Sequence, residues 1–153
     1  MRGWELYAVL FLAWVLVLST MSRPCCRSAR VDTGLPLYKY NMFIVNGLSS
    51  GRDLFIHCQS KDDDLGEHNL TTGSHFTWTF RTNFWGTTRF WCYTRRDNEH
   101  AAFDVFWPEK RHKWLETRCD YKVCIWTAKD DGFYLRNVPI NQDELIHKWE
   151  PGW

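Results

Sequence analysis

Residues 75–81, HFTWTFR, carry the clearest periodic pattern in the chain. Phe76, Trp78 and Phe80 alternate there with polar or basic residues. Because successive side chains of a strand point to opposite faces, the pattern predicts a β-strand with three aromatic rings on one face. Other short apolar or alternating runs, bounded by polar turns, predict further strands on both sides of this one. They cover residues 41–46, 54–59, 87–94, 101–107, 114–119, 123–128 and 133–136.

Composition and strand spacing together predict the fold class. The chain has ten Trp, ten Phe and six Tyr among 153 residues, and aromatic rings pack well across neighbouring strands. Short strands at this spacing are typical of a sandwich or barrel. We predict an all-β fold, a small antiparallel β-sandwich of about eight strands, as one domain over residues 41–153. The polar residues 60–68 are predicted as a long exposed connection, and residues 141–149 as the only segment that could hold a short helix.

The N-terminal segment has the pattern of a signal peptide. Arg2 precedes an unbroken apolar run over residues 6–18, which is followed by small polar residues. The run is shorter than the roughly 20 residues that a membrane span needs. We predict a signal peptide within residues 1–28, with cleavage between residues 22 and 29, followed by a short arm to residue 40. The mature protein is therefore expected to be extracellular and not stably inserted in a membrane.

Six cysteines become informative once secretion is predicted, because an oxidising compartment turns thiols into crosslinks. Cys25 and Cys26 lie near the predicted cleavage region, so their fate stays open. The other four lie in strand-like segments and predict two disulfides: Cys58, Cys92, Cys119 and Cys124. No CxxC pair with a suitably spaced His is present, so no metal site is predicted.

Charge and motif content argue against several function classes. The formal net charge is +1 and the basic residues are scattered, whereas a nucleic-acid partner requires a concentrated basic face. Asp62, Asp63 and Asp64 suggest a calcium loop, but their spacing differs from that of an EF-hand, and a solvated loop is the favoured interpretation. The six His are dispersed and no GxSxG motif occurs. We predict no catalytic residue and no cofactor.

Two further features bear on the surface of the protein. Asn69-Leu70-Thr71 is the one N-glycosylation sequon in the chain, which predicts a glycan on exposed surface, with an unmodified polar turn as the alternative. Exposed Trp side chains stack on sugars or anchor protein partners, although packing is the commoner role of any single Trp. The candidates for exposure are Trp85, Trp91 and Trp114.

An ordered series of motifs extends over about residues 42–136. It consists of FIVNGL (43–48), LFIHCQSKDDDLG (54–66), FTWTF (76–80), TTRFWC (87–92), CIW (124–126) and DGFY (131–134). With these motifs the chain resembles the plant self-incompatibility S1 family, whose members are also called S-protein homologues. The block over residues 57–66, together with the later cysteines, is its most specific part.

The resemblance implies a secreted β-sandwich with two disulfides and without known catalysis. Poppy-type pistil members of the family act as ligands for a pollen-surface receptor, and most homologues have no assigned role. The four cysteines that match the family are Cys58, Cys92, Cys119 and Cys124.

Four cysteines allow three pairings. The gap of four residues between Cys119 and Cys124 lets them face each other across a tight hairpin. Cys58 is then left to pair with Cys92 and join two strands. This pairing is the favoured one.

We therefore predict a signalling ligand that presents loops from a rigid sandwich to a cell-surface receptor, in self-incompatibility, reproduction or development. Its candidate contact loops are residues 61–67, 95–100, 108–113 and 129–131. The individual candidate contact residues are Asp62, Asp63, Asp64, Arg95, Arg96, Asp97, Lys110 and Arg111.

The alternatives are a carbohydrate- or cell-wall-binding module that uses exposed Trp, a defence protein, and an enzyme such as a secreted ribonuclease. The paired histidine motifs of that nuclease class are not visible in the sequence. The oligomeric state is left open.

Overall fold

The computed structural model of the protein describes residues 38–49, 51–107 and 114–152. The predicted signal peptide, with Cys25 and Cys26, and the candidate contact residues Lys110 and Arg111 lie outside the described residues. The described part contains the following elements: β1 (Lys39–Asn46), β2 (Leu54–Ser60), β3 (Asp64–Leu70), β4 (His75–Arg81), β5 (Phe90–Arg96), β6 (Glu99–Phe106), α1 (Leu115–Arg118), β7 (Val123–Lys129), β8 (Gly132–Asn137), β9 (Gln142–His147) and β10 (Glu150–Pro151).

These strands form two five-stranded sheets, which confirms the predicted all-β class. Sheet A has the order β4-β1-β7-β8-β9, and sheet B has the order β10-β6-β5-β2-β3. The strand pairs are antiparallel except for β1 and β7, which run parallel with Met42 beside Cys124. The described strands number ten, because β3, β9 and β10 add to the seven strands that were correctly located.

The core lies between the sheets and is built by alternation. In β1, Tyr40, Met42 and Ile44 are fully buried while the residues between them face outward. The aromatic residues of β4 pack against the core on one face, as predicted, and stay half-buried because β4 is an edge strand. The largest buried side chain is Trp126, whose Nε1 donates to the Val105 carbonyl at 3.0 Å. Burial of each such side chain stabilises the fold by roughly 1.5–3 kcal/mol.

The two disulfides join the pairs of cysteines that the sequence favoured. Cys58 is bonded to Cys92, the residue opposite it in the β2–β5 pair, within sheet B. Cys119 is bonded to Cys124. The second bond does not cross a hairpin as expected, because it joins the end of helix α1 to strand β7.

Three local predictions are wrong. Residues 114–119 hold α1 and not a strand, because Leu115 and Cys119, four residues apart, are both fully buried on one face of a helical turn. Residues 141–149 hold β9 and not a helix, since pairing with β8 prevails over the helical spacing of its apolar residues. The predicted connection over residues 60–68 enters edge strand β3 at Asp64.

Strand direction divides the loops between two ends of the sandwich. Residues 47–49, 51–53, 71–74, 97–98 and 130–131 lie where β1, β3, β5 and β7 end, and we call this the tied end. Residues 61–63, 82–89 and 138–141 lie at the opposite end, which we call the loop end. The predicted contact loops are therefore divided between two separate surfaces.

Candidate functional site

At the tied end, the buried Arg96 is the centre of a cluster of charged side chains whose acidic members are partly exposed. Its side chain is 5% exposed and lies between the carboxylates of Glu99, at 2.7 Å, and Asp130, at 3.4 Å. The same guanidinium donates to the Asp130 carbonyl at 2.5 Å and stacks at 4.7 Å over the ring of Trp149. Arg96 is thus a buried residue of strand β5, and its prediction as an exposed contact residue is wrong.

Asp130 connects this cluster to the β1–β2 loop. Its Oδ1 accepts hydrogen bonds from the Ser49 amide at 3.2 Å and from Arg52 Nη2 at 2.5 Å. The hydrogen bonds from Ser49, together with the adjacent guanidinium groups, hold the pKa of Asp130 below its ordinary value. Arg52 also reaches Asp97 at 3.4 Å. Three turns are therefore bound to one another.

The predicted contact loop over residues 95–100 is in fact a tight turn. Strand β5 runs to Arg96 and β6 begins at Glu99, so only two residues connect them. Asp97 has φ of 44° and is exposed. Arg95 faces outward on sheet B with its guanidinium 4.4 Å above the ring of Phe55. Of the predicted contact residues in this segment, only Asp97 lies in a loop.

The acidic segment lies at the loop end, where β2 turns into β3. The Ser60 hydroxyl accepts hydrogen bonds from the amides of Asp62 and Asp63, at 3.2 and 2.9 Å. Asp64 begins β3, with Oδ1 2.7 Å from His57 Nε2. A hydrogen bond from the Gly66 amide and the neighbouring His57 lower the pKa of Asp64. Within the described ranges, no group of three or more His, Cys, Asp or Glu is arranged to hold a metal ion.

Among the described residues, the most exposed aromatic side chains at this end belong to the loop over residues 82–89, which joins β4 to β5. Phe84 is 62% exposed and Trp85 is 75% exposed. Their rings make an edge-to-face contact with the centroids 5.3 Å apart. Burial of apolar surface is favourable by about 25 cal/mol per Å². Two adjacent exposed rings therefore offer apolar surface that a partner could bury.

Hydrogen bonds centred on Asn83 fix the backbone of this loop. Its Oδ1 accepts from the Thr87 amide at 2.8 Å, and its Nδ2 donates to the Thr87 hydroxyl at 2.7 Å. The backbone N–H of Asn83 donates to the Thr88 hydroxyl at 2.8 Å, and the backbone carbonyl of Asn83 accepts from the Gly86 N–H at 3.1 Å. Gly86 has φ of 60°, a conformation that glycine adopts without strain. The two rings therefore project from a well-ordered turn.

A groove of about 920 Å³ lies beside this loop. The β2–β3 turn and the facing ends of β4 and β5 form its walls. Its charged lining residues are Lys61, Asp62, Asp63, Arg81 and Arg89. The groove therefore offers groups of both charges next to two exposed aromatic rings. Residues 82–89 and this groove together are called the aromatic site.

A second cavity, of about 450 Å³, is lined by both Trp107 and Trp114. His147 also lines it and stacks on Phe103 with ring centroids 4.3 Å apart, and burial lowers the pKa of this histidine. Trp114 packs against Trp107 and under the Arg118 guanidinium. Trp114 thus packs among neighbouring side chains and does not form an exposed contact.

Of the three Trp candidates for surface exposure, only Trp85 is strongly exposed. Trp91 is half-buried with the Arg89 guanidinium 5.7 Å from its ring. Phe84 and Asn83 were not among the residues predicted from the sequence. The signal for both is the stretch NFWG over residues 83–86, in which two aromatic residues occupy a turn that would ordinarily be polar.

Comparison with known proteins assigns a family to this fold. Residues 41–149 match the family described as plant self-incompatibility protein S1. The chain is 49% identical over 115 residues to S-protein homolog 1 of Arabidopsis thaliana, covering 75% of this chain and 74% of that protein. It is 40% identical over 147 residues to S-protein homolog 74 of the same plant, covering 95% of each chain.

A solved structure supports the same architecture. It is described as that of SPH (self-incompatibility protein homologue) proteins, "a widespread family of small, highly stable, secreted proteins from plants". The two folds superpose with a TM-score of 0.58 at 19% identity, covering 75% of this chain and 97% of that one. Within the described residues of the present chain, no helix has the length and apolarity needed to cross a membrane.

Proposed function

The chain belongs to the plant self-incompatibility protein S1 family, and we propose that it acts as a non-catalytic ligand that binds a cell-surface protein through the aromatic site. The family consists of small secreted plant proteins of a non-enzymatic kind. An extracellular location brings the protein into contact with cell surfaces.

The observation that carries the proposal is the exposure of Phe84 and Trp85 on an ordered turn. Aromatic side chains supply most of the affinity of many protein interfaces, because they bury a large area in a pocket of the partner. A turn that is already fixed by Asn83 loses little conformational entropy on binding. The charged groove beside it supplies the polar rim that orients a partner and speeds its association.

The tied end is a poorer candidate for the contact surface. Its charged side chains are mostly paired within the protein, with Arg96 buried and Asp130 bonded to both Ser49 and Arg52. A partner that used these groups would have to replace contacts that already hold three turns together. We therefore place the receptor contact at the loop end, with Asp62 and Asp63 at its rim.

Substitution of both aromatic residues tests this placement. In the double variant Phe84→Ser/Trp85→Ser, we expect binding of the labelled mature protein to plant cells to fall at least about tenfold, as expected for the loss of an aromatic anchor. The matched control is Ile140→Ser. Ile140 is 62% exposed at the same end of the sandwich, in the turn between β8 and β9, at the other side of sheet A from β4.

The control variant should bind as the unmodified protein does. Equal binding by the double variant and the unmodified protein would reject the aromatic site as the contact surface. Equal losses in the double variant and in Ile140→Ser would indicate that exposed apolar residues promote nonspecific adhesion.

A second candidate function is sugar binding, and the exposure of Trp85 specifically favours it. An exposed indole ring offers a flat surface for the C–H face of a pyranose ring. The two functions differ in which treatment of the cells removes the molecule that this protein binds. Protease treatment of the cells should abolish binding to a receptor protein, whereas binding to wall polysaccharide should survive it. A glycan array, with Trp85→Ser as the control, then identifies any sugar that is bound.

A further inference from the structure

Asn69, the acceptor residue of the sequon, lies on edge strand β3 of sheet B. Its side chain is exposed, and the side chains on either side of it, His68 and Leu70, point into the protein. Thr71, which completes the sequon, is exposed just beyond the strand. The Asn69 amide therefore lies on the outward face of sheet B, where an attached sugar meets no steric obstacle from the core.

The residue directly across from Asn69 is Phe55 on β2. Opposite residues of an antiparallel pair have Cβ atoms about 4.5–5.5 Å apart, which is within the reach of a sugar linked to the Asn side chain. On the next strand, the partner of Phe55 is Arg95, whose guanidinium lies 4.4 Å above the phenyl ring. Phe55 thus has a cation on its β5 side and the glycan acceptor on its β3 side.

We propose that Asn69 carries an N-linked glycan whose first N-acetylglucosamine packs on Phe55 and covers this edge of sheet B. In the transfer, the Asn69 amide nitrogen forms a bond to C1 of the sugar and loses a proton. The bond from C1 to the diphosphate of a lipid-linked oligosaccharide breaks, and the lipid diphosphate leaves with the electron pair. The donor and the transferase belong to the secretory pathway through which the protein passes.

The contact has two physical consequences. The C–H face of the sugar covers apolar surface of Phe55 while its hydroxyl groups remain in water, so the first sugar stabilises the folded state. The outer sugars cover the edge of β3 that faces away from β2, where no other described strand pairs with it, and so hinder pairing with a strand of another molecule. The aromatic site at the loop end stays accessible, so that the glycan and the proposed receptor contact occupy different surfaces.

The test uses the secreted protein from a eukaryotic cell line that attaches only high-mannose glycans. Endoglycosidase H then trims the glycan to a single N-acetylglucosamine. We expect the trimmed protein to unfold at a temperature about 2–5 °C higher than the unglycosylated Asn69→Gln variant, a shift typical of one modest contact in a small domain. In the Phe55→Leu background, which keeps an apolar side chain but removes the ring, this difference should disappear.

Phe43→Leu is the matched control. Phe43 is an outward aromatic residue of sheet A that contacts His75, and its loss should leave the glycan-dependent shift unchanged. A measurement that needs no variant accompanies it. The proton resonances of the trimmed sugar should move upfield in the folded protein, by the ring current of Phe55, relative to the same glycoprotein in urea.

Absence of a glycan from the secreted protein overturns the proposal. A glycan whose stabilising effect persists in Phe55→Leu, or whose sugar resonances do not move on folding, overturns the proposed contact. None of these outcomes bears on the binding of Phe84 and Trp85, so this proposal and the proposed function fail separately.

Discussion

Ion pairs occur at both ends of the sandwich, but the two disulfides lie toward only one of them. At the tied end, charged side chains centred on Arg96 and Asp130 hold three turns together without a covalent bond. The Cys58–Cys92 bond lies two residues from the loop end of both its strands, and the Cys119–Cys124 bond also lies toward that end. Covalent bonds thus brace the end that exposes two aromatic rings. Because the disulfides hold the strands together there, the loops at this end are free to serve the proposed binding contact.

Removal of the disulfide within sheet B should have the largest effect on this arrangement. The Cys58→Ala/Cys92→Ala variant frees a loop with a sequence separation of 34 residues, and the chain-entropy relation predicts a loss of about 4 kcal/mol in the free energy of unfolding. The bond between Cys119 and Cys124 closes a separation of only 5 residues, so the corresponding double Ala variant should lose about 2 kcal/mol. Urea unfolding measures both.

Equal losses from the two disulfides would contradict the entropy argument. They would indicate that the packing of the buried sulfur atoms dominates over loop length. A loss below about 1 kcal/mol for the longer loop would show that the unfolded chain is already compact around Cys58 and Cys92.

The next largest effect is expected at the tied end, from Arg96→Met. This change keeps a long apolar side chain against Trp149 but removes the charge that faces Asp130 and Glu99. A fully buried ion pair that loses one partner costs 3–5 kcal/mol, but the Asp130 side chain is 48% exposed and water can solvate it. We therefore expect a loss of about 2–3 kcal/mol in urea unfolding.

Arg95→Met is the control, because Arg95 is the adjacent residue and also stacks on an aromatic ring, but on the outward face of sheet B. It should lose less than about 1 kcal/mol. Similar losses for the two variants would mean that burial of Arg96 does not strengthen its contacts, and that the tied end is not held by them.

The failures of the sequence predictions show which physical signals were local. Alternation in β4 depends only on neighbouring residues, and it located the strand with its correct bounds. The segment around α1 contained a helical signal, the spacing of Leu115 and Cys119, which the prediction of a strand over residues 114–119 did not use. Edge strand β3 was taken for a loop because its outward face is polar, which is how natural sheets protect their edges.

The candidate site was harder to predict than the fold because it depends on how loops are distributed between the two ends. The assignment of Arg96 to one end and Asp62 to the other follows from the antiparallel pairing of β2 with β5, which places Ser60 beside Phe90. The exposure of Trp85 could be suspected from its position in a turn. Burial of Arg96 could not, because its partner Asp130 lies 34 residues away in the sequence.

Acid should loosen the β1–β2 loop at the tied end more than the turn over residues 82–89, which contains no carboxylate of its own. Hydrogen bonds from Ser49 and the nearby guanidinium groups lower the pKa of Asp130 in the folded protein below its ordinary value of 3.8. A carboxylate whose pKa is lowered by folding contributes stability that is fully present above its unfolded pKa. That stability is lost as the pH falls through the folded pKa. The protection of amides in residues 47–49 and 51–53 against hydrogen exchange, after correction for the intrinsic exchange rate at each pH, should therefore fall between pH 5 and pH 2.5 more than that of amides in residues 82–89.

Asp130→Asn provides the check on this prediction. Its exchange in the β1–β2 loop should already be raised at pH 5 and should change less on acidification. If acid instead lowered the protection of residues 82–89 as much as that of the β1–β2 loop in the unmodified protein, global destabilisation and not Asp130 would explain the response.

The smallest effect on stability is expected where the effect on binding is largest. The rings of Phe84 and Trp85 touch each other and solvent more than they touch the core, so Phe84→Ser/Trp85→Ser should change the free energy of unfolding by no more than about 0.5 kcal/mol. Asn83→Ala, which leaves both rings in place but removes two side-chain hydrogen bonds of the turn, should lose about 1 kcal/mol. It should also weaken binding, because the rings would no longer be held in one orientation. A large loss of stability in the double variant, with little loss in Asn83→Ala, would mean that the rings support the sandwich and do not serve a partner.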